Sequence, residues 1–383
     1  MNNFIKNKNT PRDIIIILVF VYIVMYIFQQ FLDDRRRISL HCYIRNVTIV
    51  FAVYYLCNYK WSWPVFLLPF VVEIIIELLQ SNCIFQFDPD ENKTINCYNW
   101  FEKASRTDPE LDYYTEGMYF DDHNISMKEA QFNKFNWMCQ AGNIESGTRV
   151  LDIGSGRCDF LNYAKTKKGA VATGCTISPD QIDICKERNI DVFVTDITND
   201  PIPQEYRGKF DVIILNGSAE HFRQTCNNKS RDKFWENFFE KIKVLFDPKS
   251  NNKRIVITMI HNRRPHTFME NVHWWFLDKG FGGSYPNGKY GLVQHAKNYN
   301  VLYIRDATKD YYLYSTNYGK IGQKNMFAVM KNHIPYLPIQ LANNPYYLHT
   351  FMAAQYSWTR QFAPNGNLPP PMLHQWIVLK LNE

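Results

Sequence analysis

From residue 148 to residue 260 the chain alternates short apolar runs with helical patterns, and this alternation limits the fold more than any other feature of the sequence. The runs TRVLDIG (148–154), AVATGCTI (170–177), DVFVTDI (191–197), FDVIILNG (210–217) and RIVITMI (254–260) read as strands. Helical patterns occupy 158–167, 179–188 and 231–246, and a further helix opens at Ser126, where Glu129 completes a capping box. Met127, Ala130, Phe135 and Met138 fall near one face of that helix. Strands separated by helices at this spacing pair in parallel, so the expected fold is α/β with a doubly wound sheet.

Such sheets bind ligands beyond the carboxyl ends of their strands, where the strand order reverses. Here the first strand ends in Asp152 and the bend Gly154-Ser155-Gly156, whose glycines let a ligand lie against the backbone. A dinucleotide fingerprint would need glycine at 159, but Asp159 stands there and sets a carboxylate where a pyrophosphate would rest. A cofactor with an amino-acid moiety and a cationic centre suits Asp152 better, and S-adenosylmethionine (SAM) has that character.

The front of the 383-residue chain has a different composition. Residues 14–32 run without a charge, about the ~20 residues a bilayer core requires. Asp33, Asp34 and Arg35 to Arg37 follow in place of the small residues of a cleavage site. A second apolar region, 47–79, reads as one span, two, or a hairpin, so 1–80 is expected to anchor the chain in a membrane. Residues 81–112 then form a connector and 113–383 the catalytic domain. The basic cluster at 35–37 favours a hairpin that leaves this domain cytosolic. Nine scattered cysteines with no CxxC pair suggest free buried thiols, neither a disulfide framework nor a metal site. A formal charge of +6 without basic runs gives no reason to expect nucleic acid, and nothing in the sequence assigns an oligomeric state.

The pieces YTEGMYF (114–120), SMKEAQ (126–131), VLDIGSGRCDF (150–160), GCTISPDQ (174–181) and GSAEHF (217–222) jointly resemble the cyclopropane-fatty-acyl-phospholipid synthase family of SAM-dependent lipid methyltransferases. That family includes the mycolic-acid enzymes and the sphingolipid C9-methyltransferases, and TRQF (359–362) and HQWIVLKL (374–381) are similar to its ending. The resemblance implies a Rossmann-like methyltransferase domain over roughly 105–383, with SAM as cofactor and a membrane lipid as substrate. It places Asp152, Gly154, Ser155 and Gly156 at the methionine part of the cofactor, with Thr176, Ile177 and Gln181 at the ribose. It also places Asp196 at the adenine amine and His221 near the cofactor. A tyrosine–serine pair of the family matches Thr115 and Glu116 by ungapped counting, or Tyr114 and Thr115 with a shift of one.

The reaction so implied methylates a carbon–carbon double bond, which requires an in-line sulfonium and exclusion of water from the resulting cation. The resemblance gives Glu220 a part in holding a bicarbonate base and sets the ring of Tyr311 toward the cation. Gly117 and Ile260, which shares a strand face with Thr258, are further candidate catalytic positions, but the cyclopropane enzymes have cysteine where Gly117 stands and histidine where Thr258 stands. The implied bicarbonate site is thus incomplete, and YTEGM is closer to the C9-methyltransferases, so a methyl-branched product weighs equally with a cyclopropane. An aromatic and glycine-rich insertion at 262–290 is expected to form a lid over an acyl chain. Two other readings stand beside this one: a methyltransferase for a sterol-like small acceptor, and a degenerate fold kept as a membrane scaffold.

Overall fold

The computed structural model describes residues 113–178, 181–222, 228–267, 270, 285–325, 328, 331 and 359–382. The expected anchor (1–80) and connector (81–112) lie outside the described residues, as do 268, 269 and 271–284 of the expected lid. All described residues belong to one compact unit, and none of its described helices is long and apolar enough to cross a membrane.

Helix α1 spans Met127–Ala141, and the Oγ of Ser126 accepts the amide of Glu129 at its start, as the capping box requires. Then come β1 (Arg149–Ile153), α2 (Asp159–Lys168), β2 (Val171–Thr176), α3 (Ile182–Glu187), β3 (Asp191–Val194) and β4 (Val212–Asn216). A 3-10 turn at Ala219–His221 leads to α4 (Asn228–Ile242), β5 (Arg254–Asn262), β6 (Tyr299–Asp306), α5 (Thr308–Lys324) and β7 (Met372–Leu381). The sheet order is β3-β2-β1-β4-β5-β7-β6. β1 therefore lies between β2 and β4, both parallel to it, and the order reverses at the β1–β4 boundary.

The expectation of a wholly parallel sheet fails at one edge. β7 runs antiparallel to β5 and β6 and is wedged between them, because the chain returns from α5 in the opposite direction. Both faces of the central strands are covered, which is why they read as unbroken apolar runs. Leu151, Ile153, Ile213, Leu215, Ile255 and Ile257 face one core, with Trp235, Phe238 and Phe239 of α4. Val150, Val212, Ile214 and Val256 face the other, with Phe135 and Met138 of α1 and Phe160 and Leu161 of α2.

The period of two along each strand then fixes which polar residues share the α1 side. Asp152 follows Val150, Asn216 follows Ile214, and Thr258 and Ile260 follow Val256. In the antiparallel ladder Thr258 pairs with Trp376 and Ile260 with His374, so these two residues join the same face.

The cysteine reading needs one correction. Cys139 and Cys175 are free and buried, but Cys158 and Cys185 are joined by a disulfide with their Cα atoms 5.6 Å apart. The two lie 27 residues apart, and the crossover through β2 brings the start of α2 against α3, a proximity no sequence spacing announces.

Candidate active site

At the β1–β4 boundary the strand ends open into a cleft of about 1380 Å³, counted with its solvent-open part. Its walls come from the loops after β1, β2, β3 and β4 and from the segment before α1. Of the residues expected at the cofactor, Tyr114, Thr115, Asp152, Gly154, Ser155, Gly156, Thr176, Ile177, Gln181, Asp196 and His221 all line it. Sequence positions from 114 to 221 thus converge on one site.

The bend after β1 is built by backbone hydrogen bonds to the neighbouring strand. The amides of Gly154 and Ser155 both donate to the carbonyl of Cys175, so these two N–H groups hold the bend and do not face a ligand. Gly154 has φ +81°, and a Cβ there would stand 2.4 Å from the Cβ of Ser218. The Oγ of Ser218 in turn donates to the Ile153 carbonyl at 2.6 Å, which locks the β4 loop against β1. Gly156, at φ +52°, would have its Cβ 4.0 Å from Gln181 Nε2 with nothing nearer, and this leaves room for a ligand.

Asp152 is 2% exposed, and its Oδ1 has no hydrogen-bond partner. Burial pushes its carboxyl up to about 8, partly offset by Lys134. A buried acid left unsatisfied at the mouth of a cleft fits a cationic or amine-bearing ligand, which would restore its charge and its hydrogen bonding. Thr176 donates to Oε1 of Gln181 at 3.2 Å and accepts the amide of Ser178 at 3.1 Å, so the expected ribose pair is held as a unit. Asp196 lines the cleft, but its carboxylate is engaged in its own turn. It accepts the amide and hydroxyl of Thr198 and the amide and side chain of Asn199. Burial works to raise its pKa, and these bonds outweigh burial and hold it below the usual carboxylate range.

Geometry separates the residues of the segment before α1. Tyr114 and Thr115 line the cleft, whereas Glu116 turns away from it and is 1% exposed. Of the two pairings, the one that includes Glu116 is disfavoured by its carboxylate, which meets Lys134 Nζ at 3.1 Å and Trp376 Nε1 at 2.9 Å. Lys134 also donates to Thr115 Oγ1 at 3.0 Å, and Gln131 Nε2 donates to the carbonyls of Thr115 and Glu116. These two polar side chains of α1 pin the segment over the cleft. The sequence reading passed over them, although Met127, Gln131, Lys134 and Met138 share the spacing of one helix stripe.

The remaining expected residues lie beside the cleft rather than in its wall. Glu220 sits in the turn after β4, 3% exposed, with no hydrogen-bond partner for Oε2. Burial chiefly pushes its carboxyl up to about 8, backbone hydrogen bonds from its own amide and Ile260 lower it, and Glu116 raises it. Ile260 is 7% exposed and is thereby placed near Glu220. Gly117 has no room for any side chain, because a Cβ would lie 2.5 Å from the Ala130 carbonyl carbon. It packs against α1, so a part in a base site would have to come from its backbone. Tyr311 is 6% exposed, with its ring centroid 4.1 Å from that of Phe362 and 4.7 Å from that of His374.

Residues 98–311, more than half of the chain, match the family described as mycolic acid cyclopropane synthetase. The chain belongs to the mycolic acid cyclopropane synthetase family. Among curated relatives it is 31% identical over 115 residues to a probable (S)-tetrahydroprotoberberine N-methyltransferase of Papaver bracteatum, covering 28% of this chain and 31% of that protein. It is 29% identical over 166 residues to the sphingolipid C9-methyltransferase of Candida albicans, covering 41% and 31%. The matches thus span about a third of these relatives' length. The mycolic acid cyclopropane synthase CmaA1, solved with S-adenosylhomocysteine and CTAB, superposes with a TM-score of 0.57 at 15% identity, over 76% of this chain and 98% of that one. In this chain Gly117 has no room for a cysteine side chain, and the buried Glu116–Lys134 pair lies beside it in sequence.

Proposed function

We propose that the chain is a SAM-dependent methyltransferase acting on a double bond of a lipid acyl or sphingoid chain, with a cyclopropane or methyl-branched product. The observation that carries the cofactor is the unsatisfied, buried Asp152 beside a glycine bend at the strand-order reversal. When bound, SAM supplies an electrophilic methyl group. The chain's part is to position it: Asp152 meets the cationic amino-acid end, Thr176 and Gln181 offer the ribose a hydroxyl and an amide, and Thr115 closes the cleft from above. Membership of the cyclopropane synthetase family and similarity to a sphingolipid C9-methyltransferase support the lipid acceptor.

The apolar stretches 14–32 and 47–79 support membrane anchoring with the catalytic domain on the cytosolic side, and the insertion at 262–290 supports an apolar cover for the acyl chain. An anchored enzyme meets its lipid at the bilayer face, without passage through water. The test is incubation of the purified full chain with labelled SAM and vesicles of unsaturated phospholipid or sphingolipid. The expected result is label in the lipid chain with a gain of one methylene in mass. Label confined to an added amine, as the N-methyltransferase relatives' names would suggest, overturns the lipid reading.

A further inference from the structure

The cleft carries opposite charges on the two sides of the glycine bend. Asp152 precedes Gly154, Arg157 follows Gly156, and both line the wall. Three acids reach the cleft, Asp152, Asp159 and Asp196, but two of them are already matched. Asp159 meets Arg188 Nη1 at 2.6 Å, and Asp196 is bound to Thr198 and Asn199 of its own turn. Asp152 is left with an Oδ1 that has no hydrogen-bond partner. Lys134, and not Arg157, is the charge that offsets the burial of Asp152, so the arginine is not its counter-ion. Among the described residues Arg157 is the one arginine or lysine in the cleft wall.

The backbone under Arg157 is fixed at several points. Its carbonyl accepts Arg188 Nη1 at 2.5 Å, the same nitrogen that holds Asp159. The amide of Cys158 donates to the Ser155 carbonyl at 2.8 Å, and Cys158 is the N-cap of α2. The disulfide from Cys158 to Cys185 ties that start to α3. From this held main chain the guanidinium of Arg157 reaches the ring of Tyr114, with 5.9 Å between its carbon and the ring centroid. A guanidinium carries five N–H donors in one plane, so contact with a ring does not exhaust them. A permanent cation in a cleft, one residue before the N-cap of a helix, makes a place for an anion.

We propose that Arg157 binds the α-carboxylate of the methyl donor while Asp152 binds its α-ammonium, so that the bend selects a donor with a zwitterionic amino-acid end. This rests on the SAM reading above and deepens it by assigning the group that recognises the carboxylate. The planar fork of an arginine matches a carboxylate through two parallel N–H···O bonds, which a point charge does not offer. Two opposite clamps at one end of the donor also fix the carbon chain that leads to sulfur. The aim of the methyl group then follows from the bend. A donor without the carboxylate keeps a single anchor and can swing about it.

Calorimetry on the purified full chain compares SAM with decarboxylated SAM, which keeps the amine, sulfonium, ribose and adenine and lacks only the carboxylate. The wild type is expected to bind SAM about tenfold or more tighter. Arg157→Met should lose that preference, its SAM affinity falling to the level of the decarboxylated donor, whose own affinity stays within about threefold of the wild-type value. Arg157→Lys should keep part of the preference, since a charge remains without the fork. Asp152→Asn should weaken both donors alike, because both carry the amine. The proposal is overturned by a wild type that binds the two donors equally, by a preference that survives in Arg157→Met, or by equal loss of both donors in that variant. Arg157→Met with unchanged SAM affinity and a raised KM for lipid vesicles also overturns it, and gives the arginine to the acceptor. A wild type that binds neither donor overturns the SAM reading itself, and the proposal with it.

Discussion

Lys134 Nζ stands 3.1 Å from Glu116 Oε1 with neither side chain reached by solvent, and the same amine holds Thr115 in the cleft wall. One ion pair thus joins the fold of α1 to the closure of the cofactor site. Breaking such a pair by removing one partner strands the other charge in a low-dielectric interior. Lys134→Met is expected to cost about 3–5 kcal/mol in urea unfolding. The double variant Lys134→Met with Glu116→Gln should recover part of that loss, since no uncompensated charge remains. A double variant no more stable than the single one would show that the contact with Thr115 carries the stability.

The two glycines of the bend should fail differently. Gly154→Ala drives a Cβ into Ser218 at a left-handed backbone angle, so both stability and SAM uptake should fall. Gly156→Ala meets no atom closer than Gln181 Nε2, so its stability cost should stay near the about 1–2 kcal/mol of a left-handed non-glycine residue. Its SAM affinity should still fall tenfold or more, because the Cβ enters the ligand's space. Thermal melts and calorimetry on both variants separate these effects.

Asp152 and Glu220, both pushed up to about 8, hold protons in the folded state that they release when the chain unfolds above about pH 5. The folded form binds more protons between about pH 4 and pH 8, so stability is greatest at the low end of that window and falls as pH rises through it. The slope is about 1.4 kcal/mol per pH unit for each proton held. Urea unfolding at pH 5 and pH 8 should show the fall in the ligand-free protein, and Asp152→Asn should make the dependence shallower. SAM affinity should move the opposite way and rise toward pH 8, because the ionised acid is the form that meets a cation. In Asp152→Asn that rise should vanish.

Asp196 offers a test of turn against ligand. Its four hydrogen bonds to Thr198 and Asn199 tie down the loop after β3, so Asp196→Ala should lose about 1–2 kcal/mol of stability. If the carboxylate serves the turn alone, saturating SAM should stabilise the variant as much as it stabilises the wild type. A ligand-induced shift in melting temperature that disappears in the variant would give Asp196 a direct contact with the cofactor.

The strands β1 to β5, the capping box at Ser126 and the glycine bend were legible because each rests on local chemistry: a period, a cap, a missing Cβ. What was not legible depends on partners far away in the chain. The run MLHQWIVLKL announces a buried strand but not its direction, and only its wedge between β5 and β6 brings His374 opposite Ile260. Gln131 and Lys134 read as the polar side of a helix, yet they occupy the stripe between Met127 and Met138 and are buried because the segment at 115–116 needs donors. Counting left two pairs open, Thr115 with Glu116 or Tyr114 with Thr115, and only in space do Tyr114 and Thr115 line the cleft while Glu116 does not.

The wedge position of β7 also has a bearing on synthesis. Residues 372–381 fill the gap between β5 and the edge strand β6, so while the ribosome is still making them β5 and β6 present unpaired backbone to the cell. The nascent chain can assemble the cofactor cleft early, but an apolar edge stays open until those late residues emerge. A chaperone that shields strand edges would have its work at this stage of the protein's life.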